Sequence, residues 1–426
     1  MRFRTFLVVA VLLAGLPARA QPSIQVQSTL ETQPVLGTGT VVQGAALWAH
    51  PTDPANSLLL VADNQNGLLL YQTDGTLRRR LAEGAVLGVD VQEGVRVGGI
   101  SQSLVMVANQ SLLGLVAYII DPTTLDIRGA GLATIVAQGF TPTSVALYVS
   151  PTSGRFFAFA GSQAGIVVPF ELTGQVADGG AAVTQVRTFD VGGPVVGLAV
   201  DDAQRTLYVV EQNVGIWQYG AEPEAADART SVDDVTGGGL TQPLGGVALY
   251  TASGVRGYLL AVSGGDNAVR IYERDPSAHA FRGSFVVVQD GGIDAVDRPR
   301  HVVVTHRPQG ARFPLGLVAV HDSANTAGNE NFKLVPWPEI ATRFTTPLVV
   351  DTGGSGTPVD GGTPDGGDGG GNGPVISAPP PPVVGEVPPG YNENGSSCYC
   401  ASVSVPGTVL LVLAGVLLRS RRRPRA

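Results

Sequence analysis

Cysteine is scarce in this chain, and charge is low. The only two cysteines among 426 residues, Cys398 and Cys400, lie outside the region that we expect to fold. A disulfide framework is therefore excluded, and packing and strand pairing must stabilise the core. Charged residues make up 15% of the chain, and the net charge of -8 comes without a basic stripe in the central region. This charge distribution argues against nucleic acid as a partner.

Familiar catalytic motifs are also missing. The sequence contains no GxSxG, HExxH or GxxxxGK, which excludes the usual serine nucleophile, zinc-protease pair and phosphate loop. The five histidines have no metal-ligand spacing, so a histidine metal site is not expected. What the chain has instead is 57 glycines, 30 prolines and 44% hydrophobic residues, a composition that favours a β-rich fold with many turns.

A strand, turn, strand pattern recurs six times. Each copy has a short apolar run, a polar turn and a second apolar run that usually holds an aromatic residue. The copies begin 46 to 58 residues apart, at Ser57, Ser103, Gly154, Arg205, Arg256 and Pro314. One four-stranded propeller blade takes about 40 to 50 residues. We therefore predict an all-β fold, a six-bladed β-propeller; a β-sandwich is the alternative, but it gives no reason for six similar periods.

A second strand repeats before most of the hairpins. The stretches LGVDVQ, TSVALYV, VVGLAVDD and LGGVALYT share a glycine or serine followed by alternating apolar residues. Such alternation is typical of a strand with one packed face. We predict that these are the innermost strands, which line the channel of the propeller.

The ends of the chain differ in composition from the repeats. Residues 1–20 have early arginines, an apolar run and a small-residue site at Ala20, which predicts a secretory signal peptide. Residues 351–397 are rich in glycine, proline and aspartate, which predicts a disordered linker. The predicted divisions are the signal peptide (1–20), a short N-terminal segment (21–36), the propeller (37–346), the linker (351–397) and a C-terminal tail (398–426).

The tail combines Cys398 and Cys400, an apolar run at 403–418 and the sequence RSRRRPRA. This order resembles the C-terminal sorting tails of myxobacterial surface proteins, in which the helix is removed and a cysteine is used for attachment. A plain membrane anchor is the alternative, and its arginines would stay on the cytoplasmic side. Either way we expect at least transient membrane contact and an exported domain, at the cell surface or outer membrane or secreted.

Three stretches carry a family resemblance: LWAHPTDPANSLLLVADNQNGLLLYQTDG, DDAQRTLYVVEQNVGIWQYGAEP and PLGLVAVHDSANTAGNENFKLVPW. From about Gly37 to Thr342 the chain resembles the bacterial β-propeller phytases. The resemblance implies six blades and calcium-dependent hydrolysis of phosphate monoesters of myo-inositol hexakisphosphate (phytate). Calcium prefers oxygen ligands, so this chemistry needs many carboxylates at one end of the channel to hold the ions that bind phosphate and activate water.

Most acidic positions of the family carry other residues here. In the fourth hairpin turn, four expected acids correspond to Glu211 and then to Gln212, Asn213 and Val214. The paired aspartates of the first inner strand fall within residues 43–46, which hold no acid. Further expected acids or cations correspond to Asn64, Gln110, Val196, Gly245 and Arg300.

The remaining acids define a reduced site. By the resemblance, the candidate metal ligands are Asp90, Glu211, Asp294, Asp322 and Asn325. Glu211 and Asp294 are also the catalytic candidates, and Arg187 and Arg300 the candidates for binding substrate phosphates. We expect a reduced number of calcium ions, with one near Asp294, Asp322 and Asn325. The alternative is that these side chains cap turns, and that the arginines are ordinary surface groups.

Three functions remain open from the sequence. The first is a weak phytase or related phosphomonoesterase acting on phytate. The second is a catalytically silent, surface-displayed propeller that binds an unknown ligand. The third is a hydrolase of another anionic phosphate ester. In each case we expect a monomer.

Overall fold

Strands dominate the structure, a computed structural model that describes residues 23–97, 100–132, 134–136, 139–173 and 182–352. All of these residues belong to the first of two compact units, residues 1–363. The predicted signal peptide, the sorting tail and almost all of the predicted linker lie outside the described residues. Within the described part of the chain, no helix is long and apolar enough to cross a membrane.

The strands are short and follow one another along the chain. In chain order they are β1 (Ile24–Gln27), β2 (Leu30–Glu31), β3 (Val42–Trp48), β4 (Leu58–Asp63), β5 (Gly67–Gln72), β6 (Leu77–Leu81), β7 (Val86–Val97), β8 (Ile100–Asn109), β9 (Gly114–Ile120), β10 (Ile127–Gly129), β11 (Ser144–Val149), β12 (Phe156–Gly161), β13 (Ile166–Thr173), β14 (Ala182–Gln185), β15 (Phe189–Asp190), β16 (Val195–Asp201), β17 (Thr206–Glu211), β18 (Gly215–Gly220), β19 (Thr230–Asp234), β20 (Leu244–Thr251), β21 (Gly257–Ser263), β22 (Ala268–Glu273), β23 (Phe281–Val288), β24 (Val302–Thr305), β25 (Leu317–Asp322) and β26 (Asn331–Pro336). Two short 3-10 turns, Pro54–Asn56 and Gly264–Asp266, and one helix, α1 (Trp337–Ala341), complete the regular elements.

The strands form six sheets, which confirms the predicted six-bladed propeller. Blades 1 to 4 are β3–β6, β7–β10, β11–β14 with β15 on β13, and β16–β19. Blade 5 is β20–β23 with β1 added, and blade 6 is β24–β26 with β2 added. The six repeated hairpins of the sequence are the middle strands of these blades, β4–β5 through β25–β26.

The innermost strands form a closed ring. Each first strand contacts the first strands of the two neighbouring blades, in the order β3, β7, β11, β16, β20, β24 and back to β3. Small residues permit this approach, because a Cβ atom on Gly88 would lie 2.9 Å from the Cα of Ser144. A Cβ atom on Gly197 would likewise lie 2.9 Å from the Cα of Gly246. The repeated glycine or serine of the sequence is therefore a packing requirement of the ring.

The hydrophobic core consists of six clusters, each between two neighbouring blades. Blades are covered on both faces, so strands such as β4 and β12 are buried at every residue and lack polar alternation. A fully buried leucine such as Leu60 contributes about 1.5–3 kcal/mol. Packing of this kind stabilises the ring without any disulfide bond.

The described part of the predicted N-terminal segment, residues 23–36, closes the propeller. Strand β2 pairs with β26, with Leu30 opposite Leu334 and Glu31 opposite Lys333. Strand β1 pairs in parallel with β23 of blade 5. Blade 6 needs β2 as its outer strand because α1 directly follows β26, so blade 6 has no outer strand of its own. Strands β1 and β2, which the sequence predicts as part of a separate segment, thus belong to blades 5 and 6.

Candidate functional site

The channel opens into a cavity of about 960 Å³ at the end where the hairpin turns of the blades converge. We call this cavity the mouth. Its lining carries carboxamides from several blades: Gln43, Asn64, Gln110, Gln163, Gln212 and Asn267.

The fold places three of these carboxamides in equivalent positions. The backbone N–H of Asn64 donates to the carbonyl of Val41 at 3.0 Å. Gln110 and Gln212 make the same bond in their own blades, to the carbonyls just before β7 and β16, at 2.9 and 2.8 Å. Each bond holds the hairpin turn of a blade against the start of its inner strand. The first residue of the turn, which directly follows the first strand of the hairpin, therefore directs its side chain into the mouth.

Four of the described residues that line the mouth are charged. Asp297 and Arg298 are exposed and lie 3.5 Å apart as an ion pair. Glu330 is 3% exposed, and its Oε2 accepts hydrogen bonds from the N–H groups of Val41 and Val42, both at 2.8 Å. The guanidinium of Arg300 is half-buried and makes no hydrogen bond or ion pair with another described residue. Arg300 is thus a cation free to bind a ligand.

Buried polar atoms without partners line the wall beside Arg300. The Nε2 of His301, the Oγ of Ser323 and the Oε1 of Glu330 have no hydrogen-bond partner among the described residues. Burial, aided by the charge of Arg300, lowers the pKa of His301 to about 3, so its ring is neutral. Burial also raises the pKa of Glu330 above its ordinary value.

Glu211 does not line the mouth. Its Oε2 accepts a hydrogen bond from the indole N–H of Trp217 at 2.7 Å and lies 3.6 Å from Arg229. The Arg229 guanidinium in turn stacks over the Trp217 ring at 3.8 Å. The only acid left in the fourth hairpin turn is thereby paired inside blade 4.

Asp294, Asp322 and Asn325 do come together, but around a lysine. The Nζ of Lys333 is hydrogen-bonded to Asp294, lies 3.2 Å from the Oδ2 of Asp322 and 3.3 Å from the Oδ1 of Asn325. It also lies 2.5 Å from Glu31, its cross-strand neighbour. Burial alone would lower the pKa of Lys333, but these acids raise it above its ordinary value. We call these five residues the lysine cluster.

The lysine cluster does not fit a calcium ion. The ammonium group lies where the carboxylates converge, and a second cation there would repel it. Nor does the described part of the chain contain any group of three or more His, Cys, Asp or Glu side chains arranged to hold a metal. The expectation of a calcium ion at Asp294, Asp322 and Asn325 therefore finds no support in the geometry.

Asp90 lies in β7, where it links two blades. Its Oδ2 accepts the backbone N–H of Leu147 in the neighbouring inner strand at 2.7 Å, and burial raises its pKa to about 6. Asp202 makes a similar bond to Val149, and Gln92 donates to its Oδ2 at 3.3 Å. Burial, with the charges of Asp90 and Asp201, raises the pKa of Asp202 to about 7. These acids lie along the inner strands rather than in the mouth.

The replacement Asp202→Asn should change how stability depends on pH. Because the folded pKa is raised, the contribution of this carboxyl is fully present below about pH 4 and is lost as pH rises through about 7. The free energy of unfolding of Asp202→Asn, relative to that of the native protein, should therefore increase by roughly 1–2 kcal/mol from pH 5 to pH 8, after allowance for screening. Urea unfolding at both pH values measures this. The exposed control Asp290→Asn should show no such gain, and equal gains in both variants would contradict the assignment.

Arg187 also lies away from the mouth. Its guanidinium donates to the carbonyls of Ala225 and Gly220, the latter at 2.7 Å, and stacks over Phe189 at 5.0 Å. Burial lowers its pKa, an effect that Asp227 at 3.5 Å opposes. The structure thus does not bring Arg187 together with Arg300.

Sequence reasoning missed Lys333 and Gln163. Lys333 is the only lysine of the chain and stands in an otherwise apolar strand, NFKLVP, with 0% of its side chain exposed. A lone lysine flanked by buried positions was the available signal. Gln163 had no such signal, because a glutamine in a hairpin turn is an ordinary surface residue until the ring places it in the mouth.

The family model described as phytase matches residues 5–353. A 3-phytase of Bacillus subtilis (strain 168) is 27% identical over 331 residues, covering 74% of this chain and 85% of that protein. Among solved structures, BBS1N in complex with ARL6DN gives a TM-score of 0.43 at 11% identity, over 74% of this chain and 98% of that one. The mitotic checkpoint complex gives 0.42 at 14% identity, over 78% and 98%.

These two solved structures are too remote to bear on function. The family model, in contrast, spans most of the chain, including all six blades. The chain belongs to the phytase family.

Proposed function

We propose that this chain is an exported member of the phytase family that has lost calcium-dependent hydrolysis of phytate and acts as a binding module at the cell surface. The observation that carries the proposal is the lysine cluster, in which an ammonium group occupies the centre of the carboxylates Asp294 and Asp322. Without a calcium cluster, no metal-bound water is available for attack at phosphorus.

The mouth supports the same proposal. Its polar lining consists mainly of neutral amides such as Gln110 and Gln212, where the family resemblance leads one to expect charged groups. Amides neither concentrate divalent cations nor neutralise several phosphates at once. Export and surface attachment rest on the composition of residues 1–20 and 398–426.

Phosphate release from phytate tests the proposal directly. The full-length protein is incubated with phytate, with and without added calcium, beside the Bacillus subtilis 3-phytase as a positive control. We expect no calcium-dependent release by this protein, and no heat of calcium binding in calorimetry. Calcium-dependent release above that of a heat-inactivated sample would overturn the proposal and favour a working enzyme with a reduced number of calcium ions.

A further inference from the structure

The mouth has the hydrogen-bonding character of a site for hydroxyl groups. The side chains of Asn64, Gln110, Gln163 and Gln212 make no hydrogen bond with another described residue. A carboxamide offers both donors and an acceptor, as neighbouring hydroxyls on a sugar ring require. The lining residues that the structure describes include no Phe, Tyr or Trp, so among them hydrogen bonds rather than ring stacking provide recognition.

The wall beside Arg300 adds groups that are buried and unsatisfied. His301 and Glu330 border the mouth and are 9% and 3% exposed, and the Nε2 of His301 and the Oε1 of Glu330 have no hydrogen-bond partner among the described residues. The one nearby side chain for the Oε1 of Glu330 is the neutral ring of His321 at 3.7 Å, beyond hydrogen-bond distance. A buried polar atom without a partner costs free energy.

The charges of the mouth limit how many negative charges its ligand can carry. Arg298 is paired with Asp297. Among the described lining residues, Arg300 is therefore the cation that remains to bind an anion. A guanidinium binds one carboxylate through two parallel hydrogen bonds. A polyanion would place its remaining charges against neutral amides and the acid Glu330, where nothing offsets them.

We propose that the mouth binds a saccharide carrying an isolated carboxylate, with Arg300 holding the acid and the carboxamides holding the hydroxyls. This inference rests on the proposed function, because it takes the mouth as a binding site rather than a catalytic one. A uronic-acid residue of a surface or environmental polysaccharide has this chemistry.

Calorimetry with three probes tests the inference on the full-length protein. The probes are aldotriouronic acid, which is a trisaccharide with a single uronic-acid carboxylate, the neutral trisaccharide maltotriose, and phytate. We expect aldotriouronic acid to bind most tightly. Arg300→Gln should weaken its binding about tenfold to a hundredfold while leaving the weaker binding of maltotriose unchanged. The matched control Arg312→Gln, an exposed arginine in the loop between β24 and β25, should bind like the native protein.

A second variant separates the amides from the cation. Gln110→Ala should weaken the binding of aldotriouronic acid and of maltotriose alike, because it removes hydrogen bonds to hydroxyls and leaves the charge in place. Circular dichroism confirms that each variant is folded. Phytate binding tighter than aldotriouronic acid, an Arg300→Gln variant that binds aldotriouronic acid normally, or no binding of either saccharide would each overturn this inference. None of these outcomes touches the loss of hydrolysis, which the phosphate-release assay decides separately.

Discussion

Replacement of Lys333 by methionine is expected to destabilise the protein by about 3–5 kcal/mol, the usual cost of removing one partner from a buried ion pair. The change leaves the carboxylates of Glu31, Asp294 and Asp322 facing each other without a cation. Methionine has a similar length and adds no clash, so lost charge compensation rather than packing causes the effect. Urea unfolding of native protein and variant at pH 7 measures it.

The effect of calcium on the stability of the same variant provides a second measurement. Lys333→Met leaves three carboxylates and the Oδ1 of Asn325 around one point, a set of oxygen ligands suited to calcium. Calcium should therefore raise the unfolding midpoint of Lys333→Met and leave that of the native protein unchanged. The exposed arginine of the Arg343–Glu339 pair supplies the control, since Arg343→Met should cost less than about 1 kcal/mol. A Lys333→Met variant as stable as the native protein would refute the structural role of the lysine cluster.

The six blades could be predicted from one sequence because each blade repeats the same local signal. A hairpin of two buried strands and a glycine or serine near the start of the inner strand recur with a regular period, and the ring follows from that period. The closure could not be predicted. Strand β2 has two residues, and its partner Lys333 lies some 300 residues away, so no local pattern indicates the pairing.

The sequence predicted the neighbours within one cluster of polar residues but not the group that they contact. The sequence placed Asp294, Asp322 and Asn325 near each other, and they do converge. It could not reveal that a lysine from β26 would lie among them, because the side-chain direction depends on the register of Asp322 with Asn331. Glu211 illustrates the same limit, since its partner Arg229 comes from a loop that the repeat does not include.

A second large effect is expected at the junction of blades 4 and 5. Arg274 and Asp201 are 4% and 0% exposed, and two parallel hydrogen bonds of 2.5 and 2.6 Å join them. Arg274 also donates to the carbonyls of Gly254 and Arg256 at 3.2 Å. Arg274→Met leaves a fully buried carboxylate unpaired, so we expect a loss of about 3–5 kcal/mol in the free energy of unfolding.

The double variant separates charge compensation from packing at this junction. Adding Asp201→Asn to Arg274→Met removes the stranded charge, so it should recover part of the lost stability even though one more native group is gone. Arg282→Met is the control, because the Arg282–Glu273 pair is about one-third exposed (27% and 31%) and should contribute at most about 1 kcal/mol. If the double variant is less stable than Arg274→Met alone, the aliphatic packing of Arg274, and not its pairing with Asp201, holds the two blades together.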